Sequence, residues 1–416
     1  MKILRAIILI IIVLNFNYIY KYQLSTVFGY EGFKMETPSA YKVMVIWVLI
    51  IILIFATFII KSSYYLLIYS IWLTLFFFGQ AIYDLYNNTW LCLYLLIPTI
   101  LLILVGIKSK KYSLQRSTID INNKKFAFFA LLIALLLIMP YMNNITNINI
   151  KNLLLIDIYE TRGQDFSNKN ILLDYLFSSV ARVIFPFLFI YYISKRNYLY
   201  ASIIFILILL MFLLNGAVKS ILFGVILCIF FYFFTYKGKN NGYLITVAIL
   251  SSLSNILFFL NGNYQITDYL RRVFFSPSNL FNVYSEQFSY SHTYFMHSRI
   301  AKIFGIQMFD GSLARYVGEN IIGKEGLIAN VGIFVEGFIS FGIIGVIIAS
   351  FIFTFIIALY NFLNFHEKYF GIFFAYIYII NTSFLETLFI THGLVTLFIL
   401  GYYFIPSNKI KKDLIV

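Results

Sequence analysis

Apolar stretches long enough to cross a bilayer recur along the whole chain. A hydrocarbon core of about 30 Å takes roughly 20 apolar residues of helix at 1.5 Å each. Runs of this kind, bounded by polar clusters, lie near 3–20, 43–60, 64–83, 89–107, 126–142, 171–193, 198–214, 221–236, 243–260, 341–360, 369–384 and 387–405. They predict an all-α polytopic membrane protein of about a dozen transmembrane helices. The last two runs separate least well, because only Asn381, Ser383 and Glu386 offer a turn between them.

Two polar connections, 143–170 and above all 261–340, are longer than a turn needs, and connections of that length usually carry function. Residues 329–360 would measure roughly 48 Å as one helix, more than a single crossing. Gly332, Gly337, Gly342 and Gly345 punctuate this stretch. It predicts a partly embedded segment followed by a spanning helix. No internal repeat and no low-complexity linker interrupts the pattern, so residues 1–416 read as one membrane domain with outer loops at 143–170 and 261–340.

Composition agrees: 61% of residues are hydrophobic and 12% charged, which a water-soluble fold could not bury. Lys2 and Arg5 followed by an apolar run resemble a secretory signal, but no small-residue cleavage site follows, so an uncleaved first helix is expected. Cys92 and Cys228 both fall in apolar runs, where a thiol behaves as a small hydrophobe. The net charge of +14 has no basic stripe or soluble domain to serve nucleic acid. It follows topology instead. With both termini cytoplasmic, the inner side collects 17 basic and three acidic residues, and the 14 basic and 14 acidic residues left elsewhere cancel. That is the positive-inside pattern.

Arginine departs from this pattern. Arg162, Arg182, Arg271, Arg272, Arg299 and Arg315 are six of the nine arginines and fall outside or mid-membrane. A guanidinium is a rigid fork suited to phosphate or carboxylate, whereas an ammonium is a point charge. The set suggests an anionic ligand at the outer face; the plainer reading is ion pairing with Asp157, Glu160, Asp268, Glu286 and Glu319. Arg182 stands in the middle of an apolar run, where charge is costly and usually faces a cavity. Lys219 sits in a turn, where it either snorkels to the interface or joins that set.

Glu336 opens the glycine-punctuated stretch. A carboxylate there is a candidate general base, since burial moves a carboxyl group toward that range, or else a structural partner for an arginine. His292 and His297 are the alternative bases. Their spacing suits no shared metal on one helix face, and neither a zinc pattern, a nucleotide loop nor a dinucleotide fingerprint occurs, so no cofactor is expected.

Four segments together resemble the bacterial O-antigen polymerases, also called oligosaccharide repeat unit polymerases. They are Ile158-Tyr-Glu-Thr-Arg162-Gly, Asn215-Gly-Ala-Val-Lys-Ser220, Arg271-Arg272-Val-Phe-Phe-Ser-Pro277 with Tyr284, and Asn330-Val-Gly332 through Glu336 to Gly345. The likeness runs from about residue 150 onward; the earlier helices match in hydropathy alone. It implies a membrane-embedded lipid-carrier glycosyltransferase of the plasma (inner) membrane, with its active site periplasmic. Donor and acceptor would be undecaprenyl-pyrophosphate-linked oligosaccharides, joined without nucleotide or metal, with a flippase and a chain-length regulator as further partners. In this scheme Glu336, Arg272 and Arg162 are catalytic, while Arg271, Arg182, Arg299, Arg315 and Lys219 hold pyrophosphate. O-antigen ligase and lipid-linked oligosaccharide flippase are the rival functions; a flippase should lack a loop as long as 261–340.

Overall fold

A computed structural model describes residues 2–108, 114, 132, 136, 138–154, 176–214, 219–234, 241–309 and 311–405. Helices dominate, and no β-strand occurs among the described residues. Among the described residues six helices are long and apolar enough to cross a membrane: Lys2–Val27, Ser63–Asn87, Leu91–Lys108, Leu176–Ser194, Gly242–Asn261 and Ile333–Phe362. Ala40–Ala56, Tyr198–Leu214, Ile221–Phe234 and Leu394–Phe404 are shorter apolar helices. The described residues are thus all-helical, and their long apolar helices are those of a membrane-embedded protein. The predicted run at 126–142 and the loop residues 155–170, with Arg162, lie largely or wholly outside the described residues.

The chain forms two compact units. One comprises Met1–Tyr112, Asn240–Leu359 and Tyr378–Leu385; the other comprises Ser113–Lys239, Tyr360–Ile377 and Glu386–Val416. In the first unit, Lys2–Ile19 packs along Gly242–Asn261 through a ladder of polar pairs. Arg5 donates to Asn241 Oδ1 at 2.8 Å, Asn15 to Ser252 Oγ at 2.8 Å, and Gln23 to Asn255 Oδ1 at 2.8 Å. In hydrocarbon such bonds tie helices together where apolar contact alone does not discriminate helix from lipid.

The stretch 329–360 resolves into the two parts its length implied. Helix Ile333–Phe362 is broken at Phe341 (φ −145°, ψ 22°) and Gly342 (φ 59°, ψ −139°). The break is a reversal. Phe334 and Phe353 would stand roughly 28 Å apart on a straight helix, yet their ring centroids are 5.6 Å apart. A Cβ on Gly337 would collide with the carbonyl of Gly345, and one on Gly345 with the carbonyl of Gly337, so only glycines let the two arms meet backbone to backbone. Residues 343–362 alone measure roughly 30 Å, a full crossing, whereas 333–340 measure roughly 12 Å. Trp72, Phe76, Phe334 and Phe353 interlock around the deeper end of the short arm.

Residues 369–405 are less continuous than their hydropathy suggests. Helix Phe370–Ile380 stops at a turn over 381–384, and a second break at His392 and Gly393 (φ 80°) precedes Leu394–Phe404. Asn381 donates to the carbonyl of Leu75 at 3.3 Å, and a Cβ on Gly332 would strike the backbone of Ile380 and Asn381. Helix Phe370–Ile380 therefore ends where the chain enters the hairpin.

Candidate functional site

Glu336 lies in the first turn of the short hairpin arm and is 2% exposed. Its two carboxylate oxygens are committed to different partners. Oε2 accepts the backbone N–H of Leu385 at 2.6 Å, from the turn that follows residues 381–384. Oε1 lies 3.4 Å from Nε2 of His297, itself buried. Nδ1 of His297 is 2.9 Å from the hydroxyl of Thr293, which is fully buried and also lies 3.4 Å from the carbonyl of Ile339.

This chain has two self-consistent proton arrangements. When the Thr293 hydroxyl donates to Nδ1, Nε2–H donates to an ionised Glu336. When Thr293 donates to Ile339, Nδ1–H donates to Thr293 and bare Nε2 accepts from a protonated Glu336. A proton gained at Glu336 is thereby accommodated by a tautomer change rather than by an unpaired buried group.

The loop that carries His297 is fastened to the hairpin along its backbone. The N–H of Thr293 donates to the carbonyl of Ile339 at 2.8 Å and that of Tyr294 to the carbonyl of Ser340 at 3.3 Å. The His292 ring covers the Gly342 turn, where a Cβ would lie 3.1 Å from Nε2. His292 Nδ1 and Ser340 Oγ are buried without a hydrogen-bond partner among the described residues. Such groups are costly unless water or a ligand engages them. Beside Glu336 a mostly apolar pocket is lined by Phe295, Gly337, Phe341, Gly345, Ala349 and Leu385.

Glu336 and His297, read from sequence as rival bases, are one pair. The arginines are arranged differently. Arg271 donates to Glu31 and, through Nη2 at 2.6 Å, to Asp268, with its guanidinium 4.3 Å from the centre of the Phe28 ring. Arg272 meets Asp268 at 2.9 Å, Lys324 meets Glu31 at 3.9 Å, and Arg315 meets Glu319 at 3.7 Å. The geometry of Arg271, Arg272 and Arg315 matches the ion-pair reading given beside the phosphate reading, with Glu31 a partner the sequence did not single out. Arg299 is exposed, two residues past His297. Arg182 belongs to the second unit, bonded to Ser178, whose hydroxyl donates to the carbonyl of Thr391 at 2.6 Å. Lys219 begins helix Lys219–Phe234, and its side chain lies outside the described residues.

Arg182, Arg271 and Arg272 all sit in π-helical turns, Val180–Ile184 and Arg271–Phe275. Such turns widen a helix locally and are frequent at functional sites. Close packing accompanies the second of them: a Cβ on Gly79 would run into the carbonyl of Phe274. Among the described residues no three His, Cys, Asp or Glu side chains cluster as a metal site would require.

Thr293 and the amide of Leu385 complete the site and were not singled out from sequence. Thr293 has a faint signal, a hydroxyl close before His297 in sequence, whereas a backbone amide has none. Comparison with protein-family models, with characterised proteins and with solved structures found no match to this chain.

Proposed function

We propose that this protein joins lipid-pyrophosphate-linked oligosaccharide repeat units at the outer face of a bacterial plasma membrane, with Glu336 as the base. The observation that carries this reading is the buried Glu336–His297–Thr293 chain at a broken membrane helix, in the segment that resembles the O-antigen polymerases. A hydroxyl of the acceptor sugar gives its proton to Glu336 as its oxygen bonds to the anomeric carbon of the donor. The bond from that carbon to the pyrophosphate breaks, and the electron pair leaves with the pyrophosphate. Cations placed where that charge develops stabilise the transition state more than the ground state.

Arg271 already has two carboxylate partners, which weakens its case as the pyrophosphate fork. Arg272, with a half-exposed side chain, and Arg299, beside His297 in sequence, have the stronger claim among the described arginines. The same buried pair also suits a proton-coupled flippase for the same lipid-linked sugars, because it exchanges a proton without leaving a bare charge.

One experiment separates these readings. Purified protein in nanodiscs receives lipid-linked repeat units with neither ATP nor a gradient, and products are sized. A ladder of extended chains that Glu336→Gln abolishes supports the polymerase. Absence of extension, together with gradient-driven translocation in vesicles, replaces it with the flippase. Transfer confined to an added lipid A core acceptor replaces it with the ligase.

A further inference from the structure

Beyond Arg299, one surface of the first unit has no part in that reaction scheme. Immediately after His297 the chain forms the short helix Arg299–Ile303, capped by Ser298, whose hydroxyl accepts the N–H of Ala301 at 3.1 Å. It then turns back, with the N–H of Ile306 donating to Ala301 at 3.0 Å and that of Met308 to Met296 at 2.9 Å. Within these ten residues Ile300, Ile303, Phe304, Ile306 and Met308 all point outward, each at least half exposed and Ile303 at 80%. A loop in water would not expose five large apolar side chains together without something to cover them.

The hairpin gives the level of this projection. Ile343 and Ile344, directly after the Gly342 turn, are 54% and 62% exposed and begin an outward apolar face that continues through Ile347, Phe351 and Phe355. That face is lipid-facing on a spanning helix, so the hydrocarbon reaches the level of the turn. Thr293 and Tyr294 are hydrogen-bonded to Ile339 and Ser340 at that same level. The projection starts five residues further on. Its polar residues are Arg299, Lys302 and Gln307, and the first acid is Asp310, just beyond it. Apolar side chains with basic neighbours between them fit an anionic lipid surface.

We propose that residues 299–308 form a finger that inserts into the bilayer surface on the side of the hairpin turn, with Lys302 on anionic headgroups. Only Ser298 separates the finger from His297, so lipid contact fixes the loop that presents His297 to Glu336. The inference rests on the membrane embedding and stands independently of the polymerase reading.

The test uses full-length protein in nanodiscs containing anionic lipid, with Phe304→Cys carrying an environment-sensitive fluorophore; Cys92 and Cys228 are buried, which keeps labelling selective. Glu325→Cys, in an exposed charged turn, is the aqueous reference. At 304 a nitroxide lipid labelled near the headgroup should quench strongly, and aqueous iodide should quench several-fold less than at 325. Replacing anionic by zwitterionic lipid should raise iodide access at 304, and Lys302→Gln should reproduce that rise in anionic discs. Iodide quenching at 304 equal to that at 325, with no nitroxide effect, would overturn the insertion. Insertion that ignores both lipid charge and Lys302→Gln would overturn the headgroup assignment.

Discussion

The Glu336 carboxylate is held from two directions, and the two contacts separate position from chemistry. The N–H of Leu385 anchors Oε2, and a glutamine can keep that bond through its carbonyl oxygen. Glu336→Gln should therefore fold and insert while losing base function. A general base typically contributes on the order of 10²–10⁴ in rate, and the loss should show in single-turnover extension of lipid-linked units at unchanged protein abundance. His297→Ala leaves Oε1 without its partner and should cost both rate and stability; His297→Gln should recover stability but not rate. Arg271 calls for a different expectation. Removing it leaves Glu31 and Asp268, both partly buried, without their main cation, so Arg271→Ala should destabilise by roughly 1–3 kcal/mol. Glu31→Gln in the same chain should restore part of that loss in a thermal-unfolding assay, a rescue that a pyrophosphate ligand would not show. The legibility of the two residues differs for a physical reason. Glu336 shows in the sequence because charge is rare in an apolar, glycine-marked run. The bond from Arg271 to Glu31 does not, because the two lie 240 positions apart and nothing local pairs them.

The hairpin is the element on which the site depends, and its glycines were legible while its reversal was not. Length shows that 329–360 is too long for one crossing, but the direction of the excess depends on a φ of +59° at Gly342 and on arms that touch at Gly337 and Gly345. Gly345→Ala should force the arms apart, with overpacking typically costing about 1–3 kcal/mol, and should separate Glu336 from its partners. Monodispersity and melting temperature in detergent give the check: a protein as stable as the unmodified one would contradict the close backbone approach. The turn over 363–369 yields a pH prediction. Burial, and next to it Lys368, hold the His366 imidazole down to about 4, and burial with Lys195 brings Lys368 to about 8. Neutral His366 accepts the N–H of Lys368 on Nδ1 at 3.3 Å, which protonation abolishes. Between about 4 and 6.5 the unfolded chain binds more protons at His366 than the folded one, so this contribution is intact above 6.5 and lost as pH falls toward 4. For Lys368 the same inequality holds between about 8 and 10.5, and stability rises with pH there. His366→Gln should flatten the acid limb of melting temperature against pH and leave the alkaline limb in place.

At the scale of the whole molecule, hydropathy anticipates elements better than it anticipates crossings. Nearly every described apolar run is a helix, because burying backbone polar groups in lipid leaves few alternatives. Hydropathy does not report breaks, since a π-turn or a two-residue reversal leaves it unchanged. Ile333–Phe362 is apolar apart from Glu336 and a few small polar residues yet crosses only once if its short arm turns back, and Phe370–Ile380 measures roughly 16 Å, about half a bilayer. Charge carries separate information, because lysines and arginines resist translocation whatever the helices do in between. The cluster at Lys108, Lys110, Lys111, Arg116, Lys124 and Lys125 follows helix Leu91–Lys108, and the loop with Ser291 leads into the hairpin. If the charge pattern sets orientation, a reporter fused after Lys111 is cytoplasmic and a single cysteine at Ser291 reacts with an impermeant maleimide from outside in intact cells. The hairpin supplies an internal control: both ends of its short arm depend on the outer side, so a cysteine at Glu325 should label from that side as well, and one after Phe362 should not. Labelling of 291 and 325 from opposite sides would mean that the chain crosses the membrane between those two positions. Labelling of both only after permeabilisation would invert the orientation and move the Glu336 site to the cytoplasmic half.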